Sequence, residues 1–501
     1  MASSSNRAAF LALQQFRCLN KRFTSTAGEL SKFQLERFPA GSSVRDVLAS
    51  MHQRLDKTGV AYREGSFCAV DAGNLNWNLQ QWRKHLPRVT PFYAIKCNQD
   101  PVIIRLLAAL GAGFDCANKY EIDLALGSGG TPRNIIFAHP MKTPFHCRDA
   151  AERNVFQTTF DSEGELFKLK EHYPNVEAVV RIRAEDPDAA EPFGIKYGVD
   201  VPEAFDLIKL AKELEIKVVG VSFHSGYGLK NPNILTDAVA KCRAVYDMAK
   251  DVGVEMRLID VGGGYPSLRG NKDDVSTFAE LSEAVRLALD RYFPLDLKVR
   301  IIAEPGQYFA RNVQHCALRI DGKRIIRIPR KVVEEHGAPR GLYILRIDER
   351  QEDLKTQRQA WRDTFAAAAA TTTTTTDSES VPVVMYHLSH GAFSIFYECL
   401  FTEDGIEYDV HPLLPPNEDI RDPEIYSTFW GPILTSYDSV RVSKGFKMKL
   451  MEIGDWVYAE SIGSYSTSWA SVLAVRQPLQ FFYYATEDHW DDVEKGLKFR
   501  A

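Results

Sequence analysis

The chain of 501 residues lacks any apolar run approaching the ~18–20 residues that a membrane-spanning helix needs. It also lacks an excess of either charge. With 61 Lys and Arg against 66 Asp and Glu, the formal net charge is −5, which gives no electrostatic case for nucleic acid. The densest basic stretch, Arg319 to Lys331, is interleaved with Ile and reads as an edge strand with a solvated face. The eight cysteines show neither a CxxC pair nor metal-ligand spacing, so reduced intracellular thiols and no metal centre are expected.

What is present is 45% hydrophobic content over a length that suits about two domains and a large core. Residues 1–28 hold Arg7, Arg17, Lys21 and Arg22, several serines and no acid. Two readings of this tail are open: a disordered extension of a cytoplasmic protein, and a mitochondrial transit peptide with Phe10, Leu11, Leu13 and Phe16 on one helical face.

Eight short apolar runs follow: Tyr93–Lys96, Gly113–Cys116, Ile135–Ala138, Gln157–Asp161, Ala178–Arg181, Val219–His224, Leu258–Gly262 and Arg300–Glu304. Each has the length and composition of a buried parallel strand. Helical patterns lie between them. Asp100 and Pro101 mark one helix start and Gly111 its stop, and Ser162-Glu163-Gly164-Glu165 reads as a capping box before Leu166–His172. Eight strands alternating with helices predict a (β/α)8 barrel, whose functional residues belong at the carboxyl ends of the strands.

After the barrel the pattern changes. Ala366–Ala370 and Thr371–Thr376 form a low-complexity tract inside an insertion at about residues 348–380. Val381–Leu388, Ser394–Phe401, Phe446–Met451, Asp455–Glu460 and Ser471–Val475 read as strands of an all-β second domain. The expected organisation is a tail at 1–34, a segment at 35–70 joining the β domain, a barrel at 71–312 and the β domain at 313–501.

The strand ends carry the chemistry. Lys96 closes the first run behind Phe92, Tyr93, Ala94 and Ile95, where a surface lysine fits poorly and a Schiff-base lysine fits well. Asp260-Val261-Gly262-Gly263-Gly264 offers consecutive backbone N–H groups at the seventh strand end, as either a tight turn or a phosphate cradle. His224 ends the sixth run and Glu304 the eighth. A lysine for the aldehyde carbon, an acid for the pyridine nitrogen, a histidine for the ring face and a phosphate turn together describe a pyridoxal 5'-phosphate site.

At this point the sequence resembles the eukaryotic ornithine decarboxylase family. Pro91–Asn98, Gly113–Glu121, Phe223–Gly228, Asp260–Pro266, Ala303–Gly306, Trp430-Gly431-Pro432, Gly454-Asp455-Trp456 and Gly463-Ser464-Tyr465 carry the likeness, which runs from about residue 35 to 480. The resemblance implies an alanine-racemase-like barrel with a β domain, an amino acid as small-molecule substrate, and a homodimer with shared active sites. It implies Lys96, His224 and Glu304 as catalytic residues. It places Asp115, Arg181, Lys196, Gly262, Gly263, Gly264, Gly306 and Tyr465 around the cofactor.

The departures concern the substrate pocket. Leu434 stands where the family has a proton-donating cysteine, and Thr435 where it has an aspartate that holds the distal amine; Thr402 corresponds to a second such aspartate. Gln307 replaces a phosphate-binding arginine and Tyr227 a phosphate-loop serine. A distal ammonium needs a carboxylate to offset its desolvation, so a neutral, shorter or alkylated amino acid is expected rather than ornithine, in a specialised biosynthetic pathway. Tyr437, His390 and His411 are candidate replacement acids. Two other readings stand beside decarboxylation: a catalytically silent homologue that regulates a partner protein, and other chemistry on the same cofactor, such as racemisation or decarboxylation coupled to oxidation or transamination.

Overall fold

The computed structural model describes residues 35–58, 65–184, 186–189, 194, 196–268, 275–336, 380–400, 406–414, 424–435, 437–443, 445–470 and 479–498. The N-terminal tail, the Ala/Thr tract and the strand expected at Ser471–Val475 lie outside them. Two strands come first, β1 (Leu35–Phe38) and β2 (Phe67–Asp71). Eight more follow: β3 (Val89–Ala94), β4 (Gly113–Cys116), β5 (Ile135–Phe137), β6 (Gln157–Phe160), β7 (Glu177–Ile182), β8 (Lys217–Phe223), β9 (Leu258–Asp260) and β10 (Arg300–Ala303). Each pairs in parallel with the next, and β10 returns to β3, closing the expected eight-stranded barrel.

Buried apolar side chains fill the barrel interior. Phe92, Ile136, Val179, Val219, Leu258 and Ile302 form one cluster drawn from six of the eight strands. Fully burying a side chain of this kind contributes about 1.5–3 kcal/mol. Gly113 makes room for the ring of Phe92, whose atoms would lie 2.6–2.7 Å from an added Cβ. The layer is a packed floor for whatever the strand ends hold.

The connecting helices begin where the sequence places their caps. Asp100 accepts from the N–H groups of Val102 and Ile103 at 2.8 and 3.1 Å, ahead of the helix Pro101–Ala109. Ser162 caps the helix Glu163–His172 through Glu165 N, but the expected capping box is only half made. The Glu165 carboxylate turns inward instead, to the fully buried Lys142 ammonium at 2.8 Å and to Lys168. Lys142 Nζ also donates to the carbonyls of His139 and Thr159, at 3.0 and 2.8 Å. An unpaired buried ammonium costs more than a missing cap, so the ion pair takes the carboxylate. A complete box forms at Thr277 and Glu280, ahead of the helix Phe278–Tyr292.

The chain divides into two units. The first holds Asp71–Val313 with the described parts of Met1–Gly41 and Tyr483–Ala501; the second holds the described parts of Ser42–Val70 and Gln314–Phe482. In the first unit β1 pairs in parallel with the chain at Tyr483–Thr486. The second unit is β-rich. Its 16-residue strand β11 (Gln314–Pro329) pairs with β2 at one end and with β12 (Ser380–Leu388) along its basic half. Then come β13 (Val410–Pro412), β14 (Ile425–Trp430), β15 (Ser439–Val440), β16 (Lys447–Met448) and β17 (Trp456–Ala459).

Three expectations fail in this unit. Of the strand expected at Ser394–Phe401, the described part, 394–400, is a turn and a short 3-10 helix, Tyr397–Leu400, because Ser394 Oγ bonds the backbone of Gly391 and folds the chain back. Phe446–Met451 contributes only the two residues of β16. Cys68 and Cys316 are not reduced thiols: they face each other across the β2–β11 ladder with Cα atoms 4.3 Å apart and are joined in a disulfide. Their sequence separation of 248 residues hides that pairing.

Glu165→Leu should strand the Lys142 ammonium and destabilise the barrel by about 3–5 kcal/mol, while the double change Lys142→Met, Glu165→Leu should recover most of the loss. Urea denaturation of the three proteins measures this, and an undisturbed Glu165→Leu protein would contradict it.

Candidate active site

Lys96 lies two residues past the last residue of β3. It sits in the 3-10 turn Ile95–Cys97 rather than in the strand itself, a correction to the expected run Tyr93–Lys96. The turn frees the side chain from the sheet and leaves it 37% exposed, with Nζ 3.0 Å from Asp115 Oδ2. Asp115 is in register with Ala94 on β4 and its side chain is 1% exposed. The other carboxylate oxygen, Oδ1, is buried with no hydrogen-bond partner among the described residues.

Glu304 follows β10 and is buried. Burial pushes its carboxyl well above the usual range, and the nearby acids Asp260 and Asp115 push it further. Asp260, the last residue of β9, is raised to about 7 by burial, against the opposing hydrogen bond from Gly262 N. The pair therefore retains a proton near neutrality, when two ionised carboxylates would be costly so close together.

His224 follows β8, and its Nδ1 accepts from Gly226 N at 3.1 Å. Burial, then the positive charges of Arg181 and Lys96, hold this imidazole well below its ordinary pKa, so it is neutral. Arg181, on β7, stacks its guanidinium over the Tyr197 ring at 5.4 Å. Lys196 Nζ lies 5.1 Å from the same ring centroid.

The three glycines admit no substitute. A Cβ on Gly262, where φ is +67°, would fall 2.1 Å from Phe223 O. On Gly263 it would meet Glu304 O at 2.6 Å and His224 Nε2 at 2.7 Å; on Gly264, φ +90°, it would meet Gly226 O at 2.3 Å. The turn after β9 is thus pressed against the turns after β8 and β10. Gly306 does the same for the Lys96 turn, since its Cβ would lie 3.0 Å from that of Cys97.

The barrel ends therefore gather Lys96, Asp115, Arg181, His224, Gly262–Gly264, Glu304 and Gly306 in one unit. Tyr465, Leu434 and Thr435 belong to the other unit, and Thr402 is outside the described residues. Leu434 is 99% exposed, and Thr435 Oγ1 accepts from Tyr437 N at 3.3 Å. Of the candidate acids, His390 is fully buried beside Ser389 Oγ, while His411 lies on β13 against Tyr458 and Tyr437 is exposed.

Sequence reading passed over several groups. Asp260 was legible as a strand-end acid but had no assigned part. Glu121, which burial raises to about 7, accepts from Ala117 N and Asn118 Nδ2 at 2.7 and 2.9 Å behind Asp115. His139 and Tyr197 carry no motif. Asp438 clamps the 431–438 loop, accepting from Ile433 N at 2.8 Å and Phe393 N at 3.3 Å.

Raised carboxyls bind more protons in the folded than in the unfolded chain, so stability is lost as pH rises from their unfolded values toward about 7. The melting temperature of cofactor-free protein should fall between pH 5 and pH 8 by this contribution, and Asp260→Asn should shrink the fall. An Asp260→Asn protein with an unchanged slope would contradict the shared-proton pair.

A family model described as the pyridoxal-dependent decarboxylase, pyridoxal binding domain, matches residues 72–311. Ornithine decarboxylase of Rattus norvegicus is 32% identical over 450 residues, covering 90% of this chain and 86% of the relative. Antizyme inhibitor 2 of Xenopus laevis is 30% identical over 466 residues, covering 92% and 90%. Among solved structures, the arginine decarboxylase of Paramecium bursaria Chlorella virus superimposes with a TM-score of 0.70 at 26% identity, covering 88% of this chain and all of that one. By these likenesses and by the strand ends that carry its motifs, the chain belongs to the ornithine decarboxylase family of pyridoxal-dependent decarboxylases.

Proposed function

We propose that this protein is a pyridoxal phosphate-dependent decarboxylase of an amino acid other than ornithine. The observation that carries the reading is the Lys96–Asp115 pair, set on the same barrel end as a protonated buried acid and a turn of three irreplaceable glycines. These residues fit the cofactor. The half-buried Lys96 amine would hold the aldehyde carbon, the buried Glu304 carboxyl would pair with the pyridine nitrogen, and the neutral His224 imidazole would lie on the ring face. The N–H groups of Gly263, Gly264 and Gly306 would suit a phosphate, while that of Gly262 is taken by Asp260.

When bound, pyridoxal phosphate supplies the electron sink for the pair left by a departing carboxylate. The chain's own groups prepare the site. Asp115 holds the Lys96 ammonium and leaves one oxygen free for a second donor. Burial and then the charge of Asp260 favour the protonated form of the Glu304 carboxyl, which would pair with the pyridine nitrogen. The apolar floor beneath excludes water.

The substrate reading rests on Leu434, Thr435 and Thr402, none of which is charged. A distal ammonium would meet no carboxylate at these positions, so a neutral, shorter or alkylated side chain suits them. The almost fully exposed Leu434 accords with a homodimer in which this loop reaches a second copy. A second reading, a silent homologue that regulates a partner, is favoured by the likeness to antizyme inhibitor 2. The acid pair and glycine turn weigh against it, because a pure binding protein has no physical need for them.

Carbon dioxide release from norvaline, N-methylornithine, ornithine and lysine separates these readings. Norvaline, which carries no distal charge, should turn over at least about tenfold faster than ornithine, the factor that 1.4 kcal/mol of an unpaired charge brings. Efficient ornithine turnover overturns the substrate assignment, and no release from any amino acid supports the silent homologue.

A further inference from the structure

We infer that Tyr483 is a positioning residue for Lys96, because its hydroxyl holds the cap of the helix into which the Lys96 turn runs. The inference rests on the reading of Lys96 as the amine that holds the cofactor.

The turn that presents Lys96 is short and is fixed at both ends. β3 stops at Ala94, the 3-10 turn takes Ile95–Cys97, and the helix Pro101–Ala109 begins behind its cap, Asp100. On the strand side Ala94 N donates to Pro305 O at 3.1 Å. On the helix side the contacts converge on Asn98, two residues past Lys96. The Tyr93 hydroxyl donates to Asn98 O at 2.9 Å, and Asp100 N donates to Asn98 Oδ1 at 3.0 Å. The place of Asp100 therefore decides where the turn ends.

Asp100 is held from two directions. Its Oδ1 accepts from Val102 N and Ile103 N at 2.8 and 3.1 Å, the usual contacts of a helix cap. Its Oδ2 accepts from the Tyr483 hydroxyl at 2.9 Å, across 383 positions of sequence. Burial, then the charge of Asp100, hold the Tyr483 phenol well above its ordinary pKa, so it is a donor. Asp100 is buried; burial raises its carboxyl, and the bonds from Ile103 N, Tyr483 and Val102 N oppose that rise. A buried carboxylate deprived of a donor shifts to recover one, and Asn98 and the Lys96 turn are tied to it. Tyr483 is well placed to hold it still. It lies on the strand Gln480–Thr486, in register with Leu35 of β1, so its backbone is fixed by a ladder.

The next residue supplies a comparison. Tyr484 hydrogen-bonds to Asp71, the cap of the helix Ala72–His85. That helix follows β2 and carries none of the groups gathered at the barrel end. Two neighbouring tyrosines thus hold two aspartate caps, and the cap held by Tyr483 is the one beside Lys96.

Tyr483→Phe removes the hydroxyl and keeps the ring. Two ligands separate an effect on the lysine from general damage to the site. Pyridoxal 5'-phosphate can bond covalently to Lys96, whereas pyridoxine 5'-phosphate has an alcohol in place of the aldehyde and cannot. On cofactor-free Tyr483→Phe protein the dissociation constant of pyridoxal phosphate should rise about tenfold, within what one hydrogen bond to a carboxylate supplies. That of pyridoxine phosphate should not move. Tyr484→Phe should lower the melting temperature to a similar extent and change neither constant. Asp100→Ser keeps a side-chain oxygen for the cap but is too short to meet Tyr483. It should weaken pyridoxal phosphate binding as Tyr483→Phe does, and the double variant should be no weaker than either alone. Unchanged pyridoxal phosphate binding in Tyr483→Phe, an equal loss for both ligands, a matching loss in Tyr484→Phe, or additive losses in the double variant overturns the inference. If the unaltered protein binds the two ligands alike and borohydride fixes neither on it, it is the reading of Lys96 that has failed.

Discussion

An ammonium at the end of an apolar strand must be paired, and the Lys96–Asp115 contact at 3.0 Å is the pairing on which the site is organised. The Asp115 carboxylate is almost fully buried and is compensated by Lys96. Every other acid placed nearby therefore has to stay neutral or find a donor. Glu304 and Asp260 do the first, and Glu121 finds two donors. The result is an electrostatic balance in which the Lys96 ammonium is paired with Asp115 and the buried Glu304 carboxyl is favoured in its protonated form.

The glycine turn belongs to the same constraint. For Glu304, Asp260 and His224 to stand within each other's fields, the turns that follow β8, β9 and β10 must approach to backbone contact. Gly262, Gly263 and Gly264 permit it because each lacks the one atom that would collide. A feature that reads in isolation as a phosphate cradle is also the hinge of the acid cluster. The apolar layer below, from Phe92 to Ile302, gives these turns a rigid base.

How much of this was legible in the sequence depends on whether the signal was local. The eight barrel strands announce themselves as apolar runs between helix caps, and Lys96, His224, Glu304 and the glycines stand at their ends. Asp100 and Pro101 gave away a helix start by cap chemistry alone. What depends on pairing across the fold was hidden. The Lys142–Glu165 contact diverts a carboxylate that local spacing assigns to a capping box. The Cys68–Cys316 bridge joins two residues without a shared motif. Ser394–Phe401 has the composition of a strand, but its described part, 394–400, is folded by a serine hydroxyl.

The central claim is that the Lys96 amine, and no other, holds the cofactor. Reduction of the cofactor-loaded protein with borohydride, followed by peptide mass spectrometry, tests it directly. The account predicts a pyridoxyl group on the peptide that contains Lys96. A pyridoxyl group on another lysine, or none on the reduced protein, would contradict it.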